Sequence, residues 1–103
     1  MATGFAYDYG KRAEQAEMIS RIIPKVRDVR RLGAAGVDLG YVACGILDAY
    51  YEYGLNEWDL AAGGLIATEA GAILTGRKGA PAGKEMVIVA GPTLHAQLAE
   101  IIG

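Results

Sequence analysis

Glu52-Tyr53-Gly54-Leu55-Asn56-Glu57-Trp58-Asp59-Leu60-Ala61-Ala62-Gly63 decides how this chain is read, because it joins the end of an apolar strand to the start of a helix. Upstream, Ile46 to Glu52 holds Ile46, Tyr50 and Tyr51 between Gly45 and Gly54, which predicts a strand. Downstream, the pattern predicts a helix that begins at Asp59 and stops near Gly71. One acid therefore closes the strand, and a second stands seven residues later at the helix entrance.

Working outward, Ala16, Ile19, Ile22, Ile23 and Val26 recur at helical spacing and predict an amphipathic helix over 11–26, ended or kinked near Pro24. A short extended piece is expected at 28–32, then a helix opened by Gly33 and running to about Cys44. Ala72–Thr75 and Met86–Ala90 read as strands joined by a loop over Gly76–Glu85, and residues 93–102 as a last helix after Pro92. Helices and strands alternate, so the expectation is an α/β fold: a mixed sheet of four to five strands covered by about four helices. The last two strands are placed as an antiparallel hairpin. No internal repeat divides the chain, and 1–103 reads as one domain.

The 103 residues are 52% hydrophobic and 21% charged, which favours a folded core over disorder. A net charge of −2 without a basic run gives no reason to expect nucleic acid or an anionic membrane. No apolar run is long enough to span a bilayer, and the first residues lack the pattern of a secretory signal, so a cytoplasmic protein is the default. Cys44 is the only cysteine and is expected as a buried, reduced thiol. The helix from Ala34 to Cys44 carries Val37, Leu39, Tyr41, Val42 and Cys44 around it with Asp38 as its sole charge. Such a helix needs partners on more than one side, and without them it favours self-association as a dimer or larger homo-oligomer.

Asp59, taken alone, suits a helix N-cap, where a carboxylate accepts backbone N–H bonds and faces the positive end of the dipole. Glu52, taken alone, suits a solvated strand end. Asp38 is assigned a structural pairing with Arg30 or Arg31, and His95, the one histidine, a surface position. Gly79-Ala80-Pro81-Ala82-Gly83-Lys84-Glu85 superficially resembles a phosphate-binding loop but has one residue too few between its glycines and Glu85 where Ser or Thr is needed.

Trp58-Asp59-x-Ala61-Ala62-Gly63 resembles the C-terminal signature of the inositol monophosphatase family, magnesium-dependent phosphatases of phosphate monoesters. The resemblance runs from Thr3 to the final helix and is strongest from Arg30 to Gly71. It implies that Asp59 is a metal ligand, a role that fits a hard cation using carboxylates together with phosphate and water. It implies that Glu52, within Asp48-Ala49-Tyr50-Tyr51-Glu52, binds substrate hydroxyls. Arg30-Arg31-Leu32-Gly33-Ala34-Ala35 is similar to a family segment whose helix entrance contacts substrate, so Gly33, Ala34 and Ala35 are substrate-site candidates through their amides. Ala34 stands where the family usually has a hydroxyl residue, which puts the substrate's identity in doubt. Thr3-Gly4-Phe5 resembles a segment near the phosphate site.

The family's Asp-Pro-x-Asp-Gly-Thr motif and its earlier metal-binding glutamate have no counterpart, since neither Asp-Pro nor Asp-Gly occurs here. Phosphomonoester hydrolysis needs up to ~10²¹-fold acceleration, commonly from metals ~3.5–4 Å apart. The chain is therefore expected to be the C-terminal half of a larger phosphatase acting on a phosphorylated polyol or sugar-like molecule, with no complete catalytic set and no activity alone. The missing N-terminal half is the implied partner. Related substrates, namely fructose bisphosphate, phosphoadenosine phosphate and histidinol phosphate, stay open, as does a non-catalytic interaction or scaffold module that kept the fold.

Overall fold

Val87–Ala90 (β4) is the strand around which the rest is organised, and all four of its residues are fully buried. It lies between Ala49–Glu52 (β2) and Ile73–Thr75 (β3), antiparallel to both. Ala2–Thr3 (β1) completes the sheet parallel to β2, giving the order β1-β2-β4-β3 among the described residues. This is a computed structural model, and it describes residues 1–5 and 8–103.

Helices cover both faces. Successive strand residues point to opposite sides, so Ala49, Tyr51, Ile88 and Ala90 share one core with Met18 and Ile22 of Tyr9–Ile22 (α1) and Leu98 and Ile102 of Pro92–Ile102 (α4). Tyr50, Val87 and Val89 share the other with Leu39 and Val42 of Ala35–Cys44 (α2) and Ala67 of Glu57–Glu69 (α3). The result is the α/β architecture expected from alternation, including the β3–β4 antiparallel pair. No helix among the described residues is long and apolar enough to cross a membrane.

Element boundaries depart from the sequence pattern for local reasons. Asp8 caps α1 by accepting from the Lys11 N–H at 3.0 Å, so the helix starts at Tyr9 and not at 11. Pro24 sits in a 3₁₀ turn over Ile23–Lys25, where its missing N–H removes a helical donor. Strand β2 begins at Ala49 because Gly45 (φ +80°) is the left-handed cap of α2, and the amides of Ile46 and Leu47 both fold back onto the Tyr41 carbonyl. Helix α3 begins at Glu57 after Asn56, which places Asp59 inside the first turn; the cap reading of Asp59 is corrected accordingly.

Strand β1 was not among the expected strands. It is only two residues long, and its pairing with Tyr50 and Tyr51 joins residues 48 apart in the sequence. The extended piece at 28–32 reaches it: Arg30 bridges Ala2, with Thr3 N–H to the Arg30 carbonyl at 3.0 Å and Arg30 N–H to the Met1 carbonyl at 2.9 Å.

Candidate functional site

Glu52 and Tyr50 lie two apart on β2 and so face the same side, toward α2 and α3. The Tyr50 hydroxyl donates to Glu52 Oε1 at 2.6 Å. Tyr50 itself is 0% exposed, while Glu52 is half-buried at the open end of the strand. The backbone of buried Gly4, just past β1, lies close against Glu52. A Cβ there would collide with the Glu52 carboxyl group, so only glycine leaves room for it.

Two further acids face the same region. Asp38 lies on α2 and is 1% exposed, and its Oδ1 has no hydrogen-bond partner among the described residues. Burial, reinforced by the nearby Glu52 charge, raises its pKa to about 6. The expected pairing with arginine is corrected: Arg30 pairs with Asp28 at 2.7 Å, and no ion pair to Asp38 occurs among the described residues. A helix that turns Leu39 and Val42 into the core carries the adjacent Asp38 under cover with them. Asp59, half-buried in the first turn of α3, benefits from the helix dipole without acting as its cap.

The Tyr50 hydroxyl is the point at which these groups meet electrostatically. Its pKa is raised far above the ordinary phenol by burial, then by its hydrogen bond and proximity to Glu52, and then by the charges of Asp38 and Asp59. It is held as a neutral donor. The structure thus sets Glu52 in hydrogen-bond contact with that hydroxyl, and the charges of Asp38 and Asp59 act on it from α2 and α3.

The α2 entrance is built from Gly33 (φ +81°), which only glycine adopts easily, and Ala34, an N-cap without a side-chain bond. Ala35 is the first helical residue, and its neighbours' amides are open to a ligand. Gly33 and Ala34 are exposed and Ala35 is half-buried. Ala35 shares α2 with Asp38, one turn away, and Gly33 and Ala34 lead into it.

Elsewhere the sequence expectations are corrected twice. Cys44 is exposed, because it ends α2 on the side away from Leu39 and Val42. His95 is half-buried, with Nε2 2.9 Å from Thr75 Oγ1, and burial lowers its pKa. Sequence reasoning named Tyr50 and Gly4 only as parts of stretches that carry the resemblance, and gave neither a contact with Glu52. The two-residue spacing from Tyr50 to Glu52 was a readable signal, whereas the approach of Gly4 needed the β1–β2 pairing.

A sequence profile of the inositol monophosphatase family matches residues 1–103. The chain belongs to that family. It is 51% identical over 94 residues to an inositol-1-monophosphatase of Mycobacterium leprae, covering 89% of this chain and 32% of that protein. It is 44% identical over 81 residues to the Nus factor SuhB of Xylella fastidiosa, covering 78% and 30% respectively. The solved extragenic suppressor protein suhB of Bartonella henselae superposes with a TM-score of 0.90 at 31% identity, covering 98% of this chain and 40% of that one. The chain therefore spans about a third of the length of the curated relatives it matches.

Magnesium, which the family resemblance implies, can be tested against the residues present. No group of three or more His, Cys, Asp or Glu side chains forms a metal site among the described residues. The described residues therefore do not make a full magnesium shell.

Proposed function

We propose that these residues form the C-terminal portion of a magnesium-dependent phosphomonoesterase of the inositol monophosphatase type, acting on a phosphorylated polyol. One observation carries the reading: Glu52, which the family resemblance marks for substrate hydroxyls, is held by the buried Tyr50 hydroxyl at 2.6 Å, with Asp59 in the first turn of the helix that follows. Glu52 accepts hydrogen bonds from substrate hydroxyls and so fixes which way the polyol lies. The amides at Gly33, Ala34 and Ala35 line the same substrate from the α2 entrance. Asp59 contributes one ligand to magnesium, whose charge when bound offsets that of the phosphate. The remaining ligands, and the group that orients the attacking water, come from the other part of the protein. Exposed Val37 and Tyr41 on α2, with Leu65 and Ile66 on α3, support burial of this side against that part or against a second copy.

The second reading is an interaction module without chemistry. It is favoured by the relative named a Nus factor and by the incomplete set of metal ligands here.

The test compares phosphate release from inositol monophosphate by the isolated chain and by a chimera in which residues 1–103 replace the matching segment of the Mycobacterium leprae enzyme. The chain alone should release nothing above background, and the chimera should turn over with magnesium. Asp59→Asn in the chimera should lower turnover by at least about 100-fold, because a neutral amide is a poorer magnesium ligand than a carboxylate. The fold should survive, since Asn56 and not Asp59 occupies the cap. Full activity of Asp59→Asn across a magnesium titration would remove the metal role, and an inactive but folded chimera would favour the interaction module.

A further inference from the structure

We infer that Tyr50 is a positioning residue: it does not touch substrate but aims the Glu52 carboxylate at the substrate hydroxyls. This rests on the substrate-binding reading of Glu52. Tyr50 is fully buried, so its ring and hydroxyl have no access to a ligand. Its hydroxyl donates to Glu52 Oε1 at 2.6 Å, a short bond typical of a donor facing a charged acceptor. The geometry of the strand makes the contact nearly obligatory, because residues two apart on β2 stand side by side.

Gly4 supplies a wall. The Glu52 carboxyl group fills the space that a Cβ at Gly4 would take, so it is held by the phenol while lying close against the Gly4 backbone. A glutamate side chain otherwise loses substantial rotamer freedom when it binds a ligand. Here much of that ordering is done before substrate arrives, which is the general route by which preorganisation raises affinity. The phenol occupies one of the carboxylate's roughly four acceptor sites and leaves the others for substrate.

The experiment is a double-mutant cycle in the chimera, with Tyr50→Phe, Glu52→Gln and the pair. Each is assayed on inositol monophosphate and on p-nitrophenyl phosphate, which offers no hydroxyl to Glu52. Tyr50→Phe should cut kcat/KM for inositol monophosphate about tenfold, mostly through KM, as expected for losing a hydrogen bond to a charged group. The pair should be no worse than Glu52→Gln alone, and p-nitrophenyl phosphate turnover should change less than about twofold. Gly4→Ala, which displaces the same carboxylate, should reproduce the loss on inositol monophosphate even if Tyr50→Phe is poorly folded.

The two readings fail separately. If Glu52→Gln leaves both substrates unaltered, the role of Glu52 falls and that of Tyr50 falls with it. If Glu52→Gln weakens inositol monophosphate but a folded Tyr50→Phe does not, only the positioning role is overturned. Additive losses, or equal losses on both substrates, would likewise assign Tyr50 to stability and overturn the inference.

Discussion

On the α1/α4 side of the sheet, Met18, Ile22, Tyr51, Met86, Ile88, Leu98 and Ile102 interlock as large side chains, and all are buried. On the α2/α3 side the filling is smaller and more polar: Val87, Val89 and Ala67 meet Asp38, Tyr50 and the glycines of α3. Several apolar residues on this side's helices, including Val37, Tyr41 and Leu65, stay exposed. One face is packed for cohesion. The other buries an acid, Asp38, under α2 without an ion-pair partner among the described residues.

The largest test of this contrast is Ile88→Ala, which opens a cavity on the cohesive face. It should destabilise the fold by about 2–5 kcal/mol in urea unfolding. A loss under about 1 kcal/mol would mean that this face relaxes easily and is not the anchor described.

Asp38→Asn probes the other face and should act in the opposite direction. The folded pKa of Asp38, about 6, lies above its ordinary 3.8, so the folded protein favours the protonated form. Its contribution is intact below pH 3.8 and is lost as pH rises through about 6. The uncharged amide escapes that loss. At neutral pH, without metal, Asp38→Asn should be more stable than the parent by about 1–3 kcal/mol, and the gap should close toward pH 4. A gap that is flat with pH would take Asp38 out of the strained acid cluster.

Gly63→Ala should have the smallest effect of the three. A Cβ at Gly63 would lie 2.8 Å from both Cβ and Cδ1 of Leu39, so α2 and α3 must part. Crowding of this kind costs about 1–3 kcal/mol, partly offset by alanine's helix preference of up to about 1 kcal/mol. Net destabilisation of about 1 kcal/mol is expected from thermal unfolding. A stabilised variant would show that the α2–α3 contact is loose.

Most of the fold was legible because its signals are local. Periodicity marked α1, glycine and proline marked the ends and the start of α4, and the strand at Val87–Ala90 is an unbroken apolar run. What escaped was set by distant parts of the chain. Strand β1 exists because Ala2 and Thr3 find Tyr50 and Tyr51. Asp38 invites a pairing with Arg30 or Arg31 in sequence, and only the packing of α2 on the sheet shows it buried, with Arg30 paired to Asp28 instead. Glu52 and Asp59 stood out through a pattern of neighbouring residues, whereas Gly4 became legible only when the Glu52 carboxyl group was seen to occupy its empty side.

Gly63 and Leu39 have a consequence beyond packing. Leu39 follows Asp38 directly, and Gly63 lies one helical turn beyond Asp59 on the same side of α3. The leucine works as a peg and the missing side chain as its slot, so neither helix can slide lengthwise past the other. A ruler is thereby built into the helix pair. It fixes the interval between two acids that never touch, and a shift of either helix would be read at both.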